Sequence, residues 1–177
     1  SAREGGIDAV LATYGIAKHF ARDIGNIGLL LRMDKSCSAL APKEGVPGVA
    51  HSIEQAIKLG ADGVMVMGFP GTAYDYEYGN MMSDIIGLCD EWGLVSAAEM
   101  LPGGFSENPE DHSIPNAKIA CRFASEKGID LIKAQFVGEG TAYKAVVQNS
   151  FVPILILGGA TKSDRDVLIM TRKAMDS

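Results

Sequence analysis

The strongest constraint on this chain is a regular alternation: a short apolar run rich in Val, Ile, Leu and Met, then a longer amphipathic stretch, repeated almost from end to end. Six runs read as strands: "DAVLATYG" (8–15), "IGLLLRMD" (27–34), "DGVMVMGF" (62–69), "LVSAAEML" (94–101), "IDLIKAQFV" (129–137) and "VPILILGG" (152–159). Helical patterns fall between them in "SIEQAIKLG", "NMMSDIIGLCDEWG", "SIPNAKIACRFASEKG" and "TAYKAVVQNS", and "SDRDVLIMTRKAM" follows the last strand. Gly60, Gly93 and Gly128 close three of the helices, as left-handed C-terminal caps do, and Ser163 is placed to cap the final one. Strands alternating with helices imply parallel pairing through βα crossovers, and continuously apolar strands imply cover on both faces.

Two architectures accommodate this order, a doubly wound open sheet and a (β/α)8 barrel. Six units favour the first by count, yet no strand-to-helix turn carries a G-x-G-x-x-G or P-loop pattern. Periodicity alone leaves the choice open. With 177 residues, 47% of them hydrophobic, the chain is expected to form a single domain over 1–177. A net charge of −6 argues against a partner that presents a phosphate backbone, so no nucleic acid is expected. Cys37, Cys89 and Cys121 are odd in number and have no C-x-x-C spacing, which fits a reducing cytoplasm. His19, His51 and His112 are scattered, without the spacing that would set two imidazoles on one helix face, so no metal centre is expected. No apolar stretch approaches the roughly 20 residues needed to cross a bilayer, and no membrane partner is expected.

One residue stands out in "GIDLIKAQFVGEG" (128–140): Lys133, a cation in an apolar run. On a strand, Ile129, Leu131, Lys133 and Gln135 point one way and Asp130, Ile132, Ala134 and Phe136 the other. The second set suits a helix-covered outer face, which leaves Lys133 facing inward. An inward ammonium needs a carboxylate partner or loses its proton. In the first case Lys133 is a structural cation paired with an acid such as Glu99, or it snorkels from the strand end. In the second it is a neutral amine, able to attack a carbonyl and form an iminium that serves as electron sink.

"GIDLIKAQFVGEG", with "ACRFASEKG" before it and "FVPILILGGATKSD" after it, resembles the class I aldolases of the archaeal fructose-bisphosphate aldolase type. That superfamily includes an aldolase-like thiolase acting on phosphorylated autoinducer-2 and the aminodideoxyheptulosonate synthases. The resemblance extends through "GIDAVLATYGI", "AIKLGADGVMVMGFPGTAYDYE" and "CDEWGLVSAAEMLPGG", nearly the whole chain. It implies a (β/α)8 TIM barrel, here incomplete: six βα units, with the family's first and last strands, and the Asp-His-Gly and Gly-Arg motifs they carry, expected outside this segment. Lys133 matches the Schiff-base lysine of the family's sixth strand.

Strand five departs from the family pattern. "EMLPGG" stands where the family ends Tyr-Pro-Arg-Gly, so Leu101 takes the place of a catalytic tyrosine and Gly103 that of an arginine. A leucine cannot move a proton. Glu99, on the same strand face as Leu101, and Asp34, at the end of "LLLRMD", are the candidate acid/base groups. Alternatively, Glu99 only neutralises Lys133 and Asp34 only caps a turn.

The turn "LGGATKSDRD" ends a strand with Gly158 and Gly159 and opens a helix at Ser163, an arrangement that lets backbone amides approach an anion. A plain strand-to-helix turn uses the same residues, but the resemblance implies a substrate phosphate here, with Lys162 adding charge. Gly138 and Gly140 read as turn residues. "TAYDYEYGN" (72–80) and "PGGFSENPEDHSIPN" (102–116) read as rim loops, the first against substrate or a neighbouring subunit, the second long enough for a lid. The resemblance therefore implies a metal-independent, cofactor-free lyase that makes or breaks a C–C bond in a phosphorylated keto sugar through Lys133, working as a cytoplasmic homo-oligomer. An acyl-transferring thiolase, or a catalytically silent phospho-sugar-binding barrel fragment, is the alternative.

Overall fold

The computed structural model describes residues 4–35, 38, 40, 46–138, 140–158 and 163–177. Six strands, β1 (Ala9–Ala12), β2 (Gly28–Arg32), β3 (Gly63–Gly68), β4 (Val95–Met100), β5 (Leu131–Gln135) and β6 (Ile154–Leu157), pair in parallel in the order β1-β2-β3-β4-β5-β6. A doubly wound sheet reverses direction at a switch point. This one never does, and it curls as part of a barrel wall, so the open alternative falls away.

Register separates the two faces. On β4 and β5 the partners Glu99 and Lys133 lie side by side on the inner face, and Ala98 and Ile132 on the outer one. The outer face is the drier: Ala98, Met100, Ile132 and Ala134 are buried against Met82 and Ile86 of α4 (Asp75–Trp92), Ala117, Ala120 and Ala124 of α5 (Ile114–Lys127), and Tyr143 and Val146 of α6 (Gly140–Val147). β3 is buried along its whole length and leaves no room at either end. A Cβ at Gly63 would sit 2.5 Å from the Val95 carbonyl oxygen, and one at Gly68 2.5 Å from the Met100 sulfur. Strand starts are stitched by carboxylates. Asp62 Oδ2 accepts the Leu29 amide at 2.8 Å, and Asp130 Oδ2 accepts both the Ser96 amide and its hydroxyl at 2.8 Å.

The expected caps are present. Gly93 and Gly128 are left-handed at φ 69° and 97°, and Gly60 follows α3 (Ile53–Lys58) at φ 76°. Ser163 caps α7 (Asp164–Met175) by accepting the Asp166 amide. Three boundaries differ from the sequence reading. The first strand stops at Ala12, because Thr13 begins a turn into two short helices, α1 (Tyr14–His19) and α2 (Ala21–Ile24). The segment 72–80 is largely helix, since α4 opens at Asp75, whose carboxylate accepts the Gly71 amide at 2.9 Å. The long segment 102–116 contains a 3-10 turn, Pro109–His112, and the start of α5. Among the described residues no helix is long and apolar enough to cross a membrane.

Candidate active site

Lys133 lies on the inner face of β5, near its C-terminal end, and its Nζ donates to Glu99 Oε2 at 3.1 Å. The pairing follows from register, because Glu99 and Lys133 are direct cross-strand partners and adjacent inner-face side chains meet. Lys133 is half-buried, its side chain 22% exposed, whereas that of Glu99 is 7% exposed. Lys133 sits at the lip of the inner face beside a carboxylate.

The same carboxylate oxygen takes a second cation. Arg32, on the inner face of β2, donates from Nη1 to Glu99 Oε2 at 2.9 Å, reaching past the methionine side chains of β3. The guanidinium is held from its other side by Asp34, whose Oδ2 accepts Arg32 Nε at 3.3 Å. Asp34 is buried, and desolvation raises its carboxyl above the ordinary aspartate value, an effect tempered by the Arg32 guanidinium. The result is a line of alternating charge across the strands: Asp34, Arg32, Glu99, Lys133. Two of the expected acid/base candidates thus occupy different places. Glu99 touches Lys133, while Asp34 touches Arg32. Arg32 was not singled out in the sequence, although its position two residues before Asp34 on the inner face carries the same signal that marks Lys133: a charge in an apolar strand.

Leu101 is buried just beyond β4, its amide bonded to the Gly68 carbonyl, and offers no proton-carrying group there. Beyond it the β3–α4 and β4–α5 connections enclose a cleft of about 440 Å³, lined among others by Phe69, Thr72, Tyr74, Gly103, Phe105 and Asp111. Tyr78 does not reach it, being buried in α4 against Phe69 with ring centroids 4.8 Å apart. At the end of β6, Gly158 is exposed with open space where a Cβ would stand. Gly159 and Lys162, the rest of the expected phosphate turn, lie outside the described residues, as does Cys37. Cys89 and Cys121 are buried free thiols, pushed up by desolvation to about 11 and about 12, which makes them packing groups at neutral pH. No cluster of metal-ligating side chains occurs among the described residues.

Comparison with known proteins agrees with this fold. The 2-amino-3,7-dideoxy-D-threo-hept-6-ulosonate synthase of Halobacterium salinarum is 28% identical over 174 residues, 97% of this chain and 64% of that protein. The 3-hydroxy-5-phosphonooxypentane-2,4-dione thiolase of Shigella flexneri is 28% identical over 170 residues, 96% of this chain and 63% of its own length. The chain thus spans somewhat under two thirds of these curated relatives. An archaeal fructose-1,6-bisphosphate aldolase, solved with its catalytic Lys covalently bound to the carbinolamine intermediate of the substrate, superimposes with a TM-score of 0.88 at 26% identity, over 99% of this chain and 69% of that one. The family profile of the DeoC/LacD aldolases matches residues 1–177, and the chain belongs to the DeoC/LacD family of aldolases.

Proposed function

We propose that this chain carries the Schiff-base half of a class I aldolase acting on a phosphorylated keto sugar, with Lys133 as nucleophile and Glu99 as the acid/base group beside it. The observation that carries the reading is the Lys133–Glu99 pair at 3.1 Å on the inner face of a barrel wall. The similar archaeal aldolase, whose catalytic Lys bears a carbinolamine, supports it. In the proposed cycle the neutral Lys133 amine adds to the ketone carbonyl, and loss of water leaves an iminium. In the cleavage direction a base takes the proton of the hydroxyl β to that carbon. The C–C bond then breaks with its electron pair entering the iminium to form an enamine, and an aldehyde departs. Protonation of the enamine carbon and addition of water release the second product and restore the amine. Glu99, within reach of the nitrogen, accepts the proton that Lys133 must lose and returns it to the leaving water. Arg32, bonded to the same Oε2, holds the Glu99 side chain in place while the proton moves. No metal enters this cycle, because the iminium itself is the electron sink. A substrate phosphate is assigned to the turn after β6, where Gly158 ends the strand.

The test is reductive trapping. Incubation with dihydroxyacetone phosphate followed by borohydride should add the mass of the reduced ligand to the peptide containing Lys133, and Lys133→Ala should abolish the adduct with its circular dichroism unchanged. An adduct of equal yield in Lys133→Ala would end the Schiff-base assignment.

A further inference from the structure

The cleft beyond the end of the Glu99 strand has walls of unusual composition for a family that handles phosphorylated sugars. It lies at the C-terminal rim, between the loop that follows β3 and the loop that follows β4, the strand that carries Glu99. Among the described residues its lining holds no lysine and no arginine. The backbone amides that could replace them are largely spent. Gly71 N–H goes to Asp75 Oδ2, Thr72 N–H to the Phe69 carbonyl, Gly103 N–H to Pro70, Gly104 N–H to Leu101 and Ser106 N–H to Gly103. What the wall does offer is an acceptor. Asp111 is half-buried and lines the cleft, and among the described residues its carboxylate accepts no hydrogen bond.

Gly103 fixes this character. Its φ is +71°, and a Cβ built there would lie 2.5 Å from Asp111 Cβ and 2.9 Å from Oδ2. A side chain is excluded by conformation and by space, so no longer cationic residue at this position could bring a positive charge to the cleft without moving Asp111. A phosphate placed here would face a carboxylate, with few donors to replace its hydration. A hydroxyl group would find an acceptor in Asp111 and apolar support from Phe69, Tyr74 and Phe105.

We propose that this cleft is the subsite for the aldehyde half of the substrate and that it takes a neutral, hydroxylated aldehyde in preference to a phosphorylated one, so that the keto sugar carries phosphate only at its ketone end. This deepens the aldolase reading and rests on it for the identity of the two halves, but the binding preference can be measured without chemistry. Backbone amide resonances of Thr72, Gly104 and Phe105 are followed by NMR in the Lys133→Ala chain while D-glyceraldehyde or glyceraldehyde 3-phosphate is titrated. Glyceraldehyde should move these resonances at concentrations at least about tenfold lower than its phosphate ester, the penalty of one unscreened like-charge contact. Asp111→Asn should tighten binding of the ester by about tenfold. Phe105→Arg, at an exposed wall position, should do the same by adding a cation, with an unchanged thermal melt as the folding control. Equal or tighter binding of the ester to the unmodified cleft, or no response of these amides to either compound, would overturn the proposal. Failure of borohydride trapping at Lys133 with the titrations as expected would remove the Schiff-base reading and leave the cleft's preference standing.

Discussion

Replacing Glu99 by glutamine keeps the shape of the side chain and removes the charge that two cations share. Arg32 Nη1 and Lys133 Nζ lie 2.9 and 3.1 Å from the same Oε2, which holds the two nitrogens within about 6 Å of each other. At that separation two unit charges repel by roughly 3 kcal/mol at an effective dielectric of about 20, and by under about 1 kcal/mol in bulk water. The Arg32 and Lys133 side chains are 24% and 22% exposed, so the value falls between these limits, at about 2 kcal/mol. Asp34 still faces Arg32 in this variant, and Lys133 is the cation left without a counter-charge. Lys133→Met, by contrast, leaves Glu99 bonded to Arg32 and should cost under about 1 kcal/mol. Glu99→Gln should therefore lower the urea midpoint at pH 7 clearly more than Lys133→Met, and the double variant should recover most of the loss. Added salt at about 0.5 M should narrow the gap. If Lys133→Met proved the costlier change, or if the double variant simply added the two single losses, the three side chains would not be acting as one electrostatic unit.

Two further predictions follow from buried polar groups. Tyr143 is fully buried with a hydroxyl that has no hydrogen-bond partner among the described residues, and burial pushes its phenol up, so Tyr143→Phe should be neutral or stabilising by up to about 1 kcal/mol in thermal melts. Asp34 titrates above its ordinary value when folded, so the native state binds more protons than the unfolded chain between the two values, and this group's contribution to stability falls as pH rises through that window. The stability of the protein relative to Asp34→Asn, taken from urea midpoints, should accordingly be greater near pH 4 than at pH 7. A difference that grows with pH would mean the Arg32 pairing outweighs burial.

Much of the fold was legible because its strands are continuous apolar runs and its longer helices end in glycine, signals that survive without tertiary context. The first crossover was not. Residues 14–24 form helices of six and four residues, too short to show a period, and the apolar run 8–15 reads as strand through Gly15. Lys133 and Glu99 were legible by strand parity, and their cross-strand meeting needed only the register. Arg32 is not legible in the same way, because an arginine near a strand end is ordinarily solvated and its contact with Glu99 joins strands 67 residues apart that are not neighbours in the sheet. The carboxylates that stitch the strand starts, Asp62 and Asp130, look in the sequence like turn residues, and their partners are 33 and 34 residues away.

The strand order also has a consequence for how the chain is made. Each strand pairs with its immediate successor, and paired residues lie between 19 positions apart, as for Ala9 with Gly28, and 34, as for Ala97 with Leu131. Among the described strands none pairs with a partner at the far end of the order. During synthesis each new βα unit can dock on an edge already laid down, and the entropy of closing each loop is of similar size because it grows only slowly with length. Assembly can thus advance in the direction of translation, one strand at a time.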